Sequence, residues 1–374
     1  MKSSQKRKSI MATLAIASVA FSCQDLAEET PISNDLGGGG SDTELTSVAS
    51  VSYDFINDIY VAVGTSKSGD IDVYTGSQAA GWEKLAENRD IDNRYSPSEF
   101  VSLAFGSAEA GYGLAVGNKD GKGTSINARV FYDKPYFGDG APKQIGSLTE
   151  VLSVEYDQTN DKFIAVGKNA SGSIDVYVGY HNNWTQLQEN RDIDNRYSPE
   201  QFVGVSFGAA DGAYGVAIGN VADFKIGFRQ TAPRATSINA RSFYNNPWFG
   251  DGKPEAIGDL EEAYAVEYNP SNDNFVVVGR GPGGDIDVYV GNHKNWTKLA
   301  ENRDIDNRYS TSQFSDFAIG GEGALQYGVA VGNIQDFTVG FRTTEPRGTS
   351  INARVFYGNP YFGDGKPEPI TLIP

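Results

Sequence analysis

Three blocks of this chain recur unchanged. Glu-Asn-Arg-Asp-Ile-Asp-Asn-Arg-Tyr-Ser occupies 87–96, 189–198 and 301–310. Thr-Ser-Ile-Asn-Ala-Arg occupies 124–129, 236–241 and 349–354, and Phe-Gly-Asp-Gly occupies 137–140, 249–252 and 362–365. A chain with an internal period of roughly 110 residues must solve one packing problem repeatedly, which restricts it to stacked, ring-like or tandem architectures. Each copy divides again. Copy two holds Phe163-Ile164-Ala165-Val166-Gly167 followed by Ile174-Asp175-Val176-Tyr177, and later Tyr214-Gly215-Val216-Ala217-Ile218-Gly219 followed by Ile238-Asn239-Ala240-Arg241. The unit is therefore half of the long repeat, and there are six units.

Within a unit, Val151 to Tyr156, Phe163 to Val166, Ile174 to Val178 and Trp184 to Leu187 are short runs rich in β-branched and aromatic residues, separated by Asp, Asn and Gly. These are strand and turn signals, and no longer helical periodicity competes with them. Four short strands per unit, six times over, predict an all-β, six-bladed β-propeller made of three two-blade repeats, at about 45–147, 148–259 and 260–374. Three consecutive β-sandwiches of about 110 residues are the alternative. The half-repeat and the lack of linkers between copies favour the ring. Ser173-Ile174-Asp175 with the downstream Trp184 resembles the Asp-box hairpin of sialidase-type propellers, although Gly179 and Trp184 follow at a wider spacing than that motif has. The resemblance implies a propeller and no activity.

The N-terminus reads differently. Lys2, Lys6, Arg7 and Lys8 precede the apolar run Ile10 to Ala20, which is too short to span a bilayer. Residues 1–22 read as a secretory signal peptide. Cys23 is the single cysteine, and Ala20-Phe21-Ser22-Cys23 resembles a bacterial lipobox, so Cys23 is the expected lipidation site. Gln24 rather than Asp follows it, which in the proteobacterial lipoproteins it resembles implies passage to the outer membrane. Residues 23–44, with Gly37 to Ser41 reading GGGGS, form an expected flexible tether. The expected location is the cell envelope, as an outer-membrane lipoprotein exposed at the surface, with the lipid as its one membrane contact.

The formal charge of −17 argues against nucleic acid as a partner. One cysteine and two histidines, His181 and His293, exclude a Cys/His zinc site. Neither histidine has a counterpart in copy one, and no Ser or Cys carries a local base signature, so the sequence leans away from an enzyme.

Two repeated features remain as candidate ligand sites. In a propeller blade the loop joining the second and third strands and the loop leaving the fourth strand emerge on the same face. The first feature is the polar block that follows the odd blades: Arg89, Asp90, Asp92 and Arg94, with Arg191, Asp192, Asp194 and Arg196, and Arg303, Asp304, Asp306 and Arg308. It reads either as a rigid, self-neutralising turn or as a ligand surface. Asp90-x-Asp92 begins like a calcium loop, but Arg94 stands where another oxygen ligand is needed, so no cofactor is expected and calcium is the alternative. The second feature is an insertion present in copies two and three (221–235 and 334–348) and reduced to 119–123 in copy one. It carries Phe228, Arg229 and Arg234, matched by Phe341, Arg342 and Arg347. Aromatic and guanidinium groups on one loop suit planar, anionic or glycan ligands. Trp82, Trp184 and Trp296 occupy one blade position and read as core. Asp72, Asp175 and Asp287 read as inter-blade hydrogen-bonding groups. The expected function is non-catalytic binding of a glycan through the repeated loops, with a protein-binding scaffold or adhesin, then a glycoside-processing enzyme, as alternatives.

Overall fold

The computed structural model describes residues 44–374 except 78–79, 86–90, 92–93, 107–111, 130–135, 138–140, 188–190, 195, 209–214, 223–224, 227–228, 231–232, 242–247, 250–252, 300–304, 306–307, 321–327, 335–337, 340–341, 344–346, 355–360, 363–366 and 372–374. Cys23 and the segments read as signal and tether lie outside the described residues, apart from Glu44. The compact body runs from Asp42 to Pro374.

That body is a six-bladed β-propeller, each blade an antiparallel sheet with its first strand innermost. Blade 1 comprises Leu45–Asp54, Ile59–Ser66, Ile71–Ser77 and Gly81–Lys84. Blade 3 comprises Glu150–Asp157, Lys162–Lys168, Ile174–Tyr180 and Asn183–Gln186. Blade 5 comprises Glu262–Asn269, Asn274–Arg280, Ile286–Asn292 and Asn295–Lys298. In the even blades the outermost strand is split into two short pieces, both paired with the third strand. Blade 2 runs Phe100–Gly106, Tyr112–Lys119 and Lys122–Arg129, then Tyr136–Phe137 and Lys143–Gln144. Blade 4 runs Phe202–Phe207, Gly215–Val221 and Arg234–Arg241, then Trp248–Phe249 and Glu255–Ala256. Blade 6 runs Phe314–Ile319, Gly328–Ile334 and Arg347–Arg354, then Tyr361–Phe362 and Glu368–Pro369.

A blade has two apolar faces because it packs on a neighbour at each side. Its central strands accordingly read as continuous apolar runs, such as Phe163-Ile164-Ala165-Val166, all fully buried. The core is divided among six clusters, one per junction. Val61, Leu85 and Phe105 belong to the junction of blades 1 and 2, and Leu148, Phe163 and Val116 to that of blades 2 and 3. The last cluster closes the ring: Leu45 and Val48 of blade 1 pack with Val329, Val331 and Ile370 at the C-terminal end. Leu45 N donates to Ile370 O at 3.2 Å, and Glu44 forms a β-bridge with Thr371.

Junctions between repeats carry one further device. The Asn118 carboxamide accepts from Val151 N (2.7 Å) and donates to Val151 O (3.1 Å). Asn220 does the same to Ala263 (2.8 and 3.1 Å), and Asn333 to Val48 (2.7 and 3.0 Å). Each asparagine thus acts as an extra peptide group that extends one blade's hydrogen bonding into the next. The same junctions receive an indole N–H: Trp82 to Ser350 Oγ (3.0 Å), Trp184 to Ser125 Oγ (3.4 Å) and Trp296 to Ser237 Oγ (3.2 Å).

Candidate ligand-binding sites

The recurring polar block is anchored by its apolar members. Ile91, Ile193 and Ile305 are fully buried between an odd blade and the following even blade. Burying an isoleucine contributes about 1.5–3 kcal/mol. Tyr95, Tyr197 and Tyr309 are buried beside them, and their hydroxyls meet Thr124, Thr236 and Thr349 at 2.9, 3.1 and 3.2 Å. Each tyrosine ring lies over a glycine of the Gly-Asn pair at 117, 219 or 332. A Cβ there would stand 2.6–2.7 Å from ring carbons, so only glycine fits. Tyr95 N donates to Ile91 O at 2.8 Å, Tyr197 N to Ile193 O at 2.9 Å and Tyr309 N to Ile305 O at 2.9 Å, and in copy two Arg191–Asp194 is helical. The following serine and acid or amide complete it: Ser96 N donates to Glu99 Oε2 (2.8 Å), Ser198 N to Gln201 Oε1 (3.0 Å) and Ser310 N to Gln313 Oε1 (2.9 Å). Arg94, Arg196 and Arg308 are partly buried, and Lys119 Nζ donates to the Arg94 carbonyl at 2.7 Å. Asp194 is partly buried. Arg89, Asp90, Asp92, Arg303, Asp304 and Asp306 lie outside the described residues, as do the side chains of Arg191 and Asp192.

The insertions form small hairpins of their own, Lys225–Ile226 with Arg229–Gln230 and Thr338–Val339 with Arg342–Thr343. Arg234 Nη1 donates to Asp259 O at 2.9 Å, and Arg347 pairs with Glu44. These two guanidiniums therefore tie the insertion to the loop entering the next blade. Phe228 and Phe341, and the side chains of Arg229 and Arg342, lie outside the described residues.

Asp72 and Asp287 pair with lysines of their own blades, Lys84 at 2.5 Å and Lys298 at 2.6 Å, and Asp175 accepts from Asn169 Nδ2 at 2.9 Å. These partners lie within the same blade, while the side chains of Arg129, Arg241 and Arg354 in the Thr-Ser-Ile-Asn-Ala-Arg blocks lie outside the described residues. Trp82 is buried as expected. Trp184 and Trp296 are half-buried, because they sit where a hairpin crosses to the preceding blade.

That crossing shapes an open groove of about 340 Å³ between blades 2 and 3, lined by Lys143, Gln144, Gly146, His181, Asn182 and Trp184. The indole N–H is engaged inward with Ser125, and buried His181 places Nδ1 3.3 Å from the same hydroxyl. The groove therefore offers part of an indole surface flanked by two exposed carboxamides, Gln144 on the split outer strand and Asn182 in the hairpin turn, and one ammonium group. At the equivalent junction of blades 4 and 5, Glu255, Ala256 and Lys294 replace Lys143, Gln144 and Asn182. Lys143, Gln144 and Asn182 were not singled out in the sequence because they sit in turns and in a split outer strand without periodic signal.

A second cavity, of about 210 Å³, lies on the ring axis and is lined mainly by the six inner strands. It contains the carboxylates Glu155, Glu267 and Asp316, and among the described residues that line it there is no Lys, Arg or His. Burial, reinforced by the Asp316 carboxylate, pushes Glu155 up to about 8. Burial raises Glu267 well above the ordinary range, with Glu155 and Asp316 adding to the effect. Burial lifts Asp316 to about 6, against the lowering pull of donors from Val51 N, Phe317 N and Ser50 Oγ. Among the described residues no His, Cys, Asp and Glu cluster has the arrangement to hold a metal ion.

No protein-family model and no curated protein sequence matches this chain. Solved structures do resemble it. A variant of the Aleuria aurantia lectin in complex with Fucα1-6GlcNAc shares 11% identity, with 88% of this chain and 99% of that chain covered, at a TM-score of 0.51. Another structure of that lectin, described as a six-bladed β-propeller with a novel fucose recognition mode, shares 12% identity over 89% of this chain and 99% of that chain, at 0.49. The PQQ-bound aldose sugar dehydrogenase of Streptomyces coelicolor shares 11% identity over 82% and 94%, at 0.44. Identities this low speak to the fold alone.

Proposed function

We propose that this protein is a non-catalytic, glycan-binding propeller of the cell envelope, anchored through Cys23. The observation that carries the reading is the groove between blades 2 and 3. A half-buried tryptophan with its polar N–H turned inward leaves apolar ring surface for a sugar face. Gln144 and Asn182 supply donors and acceptors at the rim, where sugar hydroxyls need them. The Aleuria aurantia lectin, which shares the fold, is a sugar binder and supports the class of ligand. The insertion arginines are the competing glycan surface.

A glycan array probed with the mature protein tests the class of ligand. For any glycan bound, Asn182→Ala and Gln144→Ala, both at exposed positions, should weaken binding by about 0.5–1.5 kcal/mol each, or roughly two- to tenfold, without altering stability. Binding that survives these changes but is lost in Arg229→Ala or Arg342→Ala moves the site to the insertions, with two sites per chain. Turnover of chromogenic glycosides, or no glycan bound at all, removes the reading.

A further inference from the structure

The axial cavity is the place where the internal symmetry of the ring fails. At one inner-strand level, set by pairing with the second strand, the odd blades carry Ser52, Glu155 and Glu267 and the even blades Ala104, Ser206 and Ala318; at the level two residues earlier the odd blades carry Ser50, Ser153 and Ala265 and the even blades Ser102, Gly204 and Asp316. A duplicated ring needs the same packing at every junction, yet these three acids have no counterpart in the remaining blades. They are gathered in one cavity, and among the described residues that line it none is basic. Like charges in a low-dielectric cavity repel one another and lose hydration, an arrangement that a packed core alone gives no reason to keep.

A second observation points to an occupant. Ser206 lines the same cavity, is 1% exposed, and its hydroxyl has no hydrogen-bond partner among the described residues. The corresponding residues of the other even blades are Ala104 and Ala318, which supply the packing without the polar atom. A buried hydroxyl left unpaired keeps none of the hydrogen bonding it had in water unless something meets it. Asp316, by contrast, is held by Ser50 and by two backbone amides, so one carboxylate is fixed in place in advance.

We propose that this axial cavity binds one small organic ammonium ion, with Glu155, Glu267 and Asp316 as its counter-charges and Ser206 as an added hydrogen-bond partner. The chemistry of the wall selects the class. The acids oppose an anion, and their spacing among the described residues does not suit a bare metal ion. Tyr53, Tyr156, Tyr264, Tyr268 and Phe55 also contribute to the lining, so the wall is aromatic as well as acidic and suits a cation bearing apolar carbon. Because burial pushes Glu155 up to about 8 and raises Glu267 as well, the cation displaces protons as it enters.

The test is calorimetry and thermal shift on the mature protein with methylammonium, ethylammonium and 1,4-diammoniobutane, against sodium, calcium and the uncharged alcohols. The expected result is one site per chain for an ammonium probe, with a heat that changes with buffer ionisation enthalpy because protons are released. Glu267→Gln and Glu155→Gln should each weaken binding at least tenfold. Ser206→Ala, which reproduces the residue of the sister blades, should fold normally and still weaken it several-fold. Absence of stoichiometric binding by every amine overturns the proposal, as does a site filled by calcium alone. Amine binding that all three variants leave unchanged also overturns it. None of these outcomes bears on the groove between blades 2 and 3, whose probes are neutral glycans.

Discussion

Asn333 stands at the one junction where the neighbouring blades have no covalent connection. Its carboxamide satisfies both backbone polar groups of Val48, which is 3% exposed, and also donates to Ser315 Oγ at 2.9 Å. Asn333→Ala leaves two buried backbone groups without partners, at about 1–3 kcal/mol each, so a loss of about 3 kcal/mol is expected after partial access of water. Unfolding entropy of roughly 2.1 cal/mol/K per residue over about 330 residues gives about 0.7 kcal/mol/K, so the melting temperature should fall by about 4 °C. Asn118→Ala and Asn220→Ala remove the same pair of bonds where the chain itself joins the blades. They should cost a similar amount without opening the ring. Asn333→Ala should therefore differ in kind, with a lower denaturant m-value and faster amide exchange confined to blades 1 and 6. Asn333→Asp keeps an acceptor for Val48 N but faces Val48 O with a second acceptor, and should be at least as damaging as Ala. Urea titration with amide exchange decides the matter. A loss below about 0.5 kcal/mol, or identical m-values and exchange in the three alanine variants, would refute the clamp as the closure device.

Two further outcomes follow from the same chain. The channel acids have folded-state pKa values above their unfolded ones, so the folded chain holds extra protons; their contribution is full below the ordinary carboxylate range and is lost as pH rises through about 6 for Asp316 and about 8 for Glu155. The urea midpoint should therefore fall between about pH 4 and 8, and Glu155→Gln should flatten the upper part of that fall; a midpoint that rises over this range contradicts the assignment. For the anchor, Cys23→Ala should move the protein to the soluble fraction, and intact mass should place lipid on Cys23 as the first mature residue; cleavage elsewhere or a bare thiol would refute it.

The blades were legible because their determinants are local. Phe163-Ile164-Ala165-Val166 and Ile174-Asp175-Val176-Tyr177 announce strands through side-chain type, and the observed strands Lys162–Lys168 and Ile174–Tyr180 contain them. The recurring polar block was half legible. Its charged residues drew attention to solvent, while the residues that hold it are Ile193 and Tyr197, which bury into the next blade. The Asn clamps were not legible, since an Asn after Gly at the end of a strand reads as a turn signal until the next blade's backbone is brought beside it. Glu155 was hidden for a similar reason. Val154-Glu155-Tyr156 reads as an ordinary half-exposed strand, and only closure of the ring turns the exposed side into an enclosed channel.

The same contrast separates structural from ligand-directed positions in a triplicated ring. Residues alike in every copy, such as Ile91, Tyr95, Asn118 and their partners, each make a contact that every junction of their type requires, so their repetition reports packing. A ligand that meets the ring at one place imposes no such uniformity. The axial acids occur in three blades of six, and the groove between blades 2 and 3 has Lys143, Gln144 and Asn182 where its sister junction has Glu255, Ala256 and Lys294. Grafting tests this division. Glu255→Lys, Ala256→Gln and Lys294→Asn together should give the junction of blades 4 and 5 the ligand preference of the first groove, because the half-buried Trp296 and its bond to Ser237 are already in place. A grafted junction that folds and stays inert would instead show that the indole and its rim are insufficient to define the site.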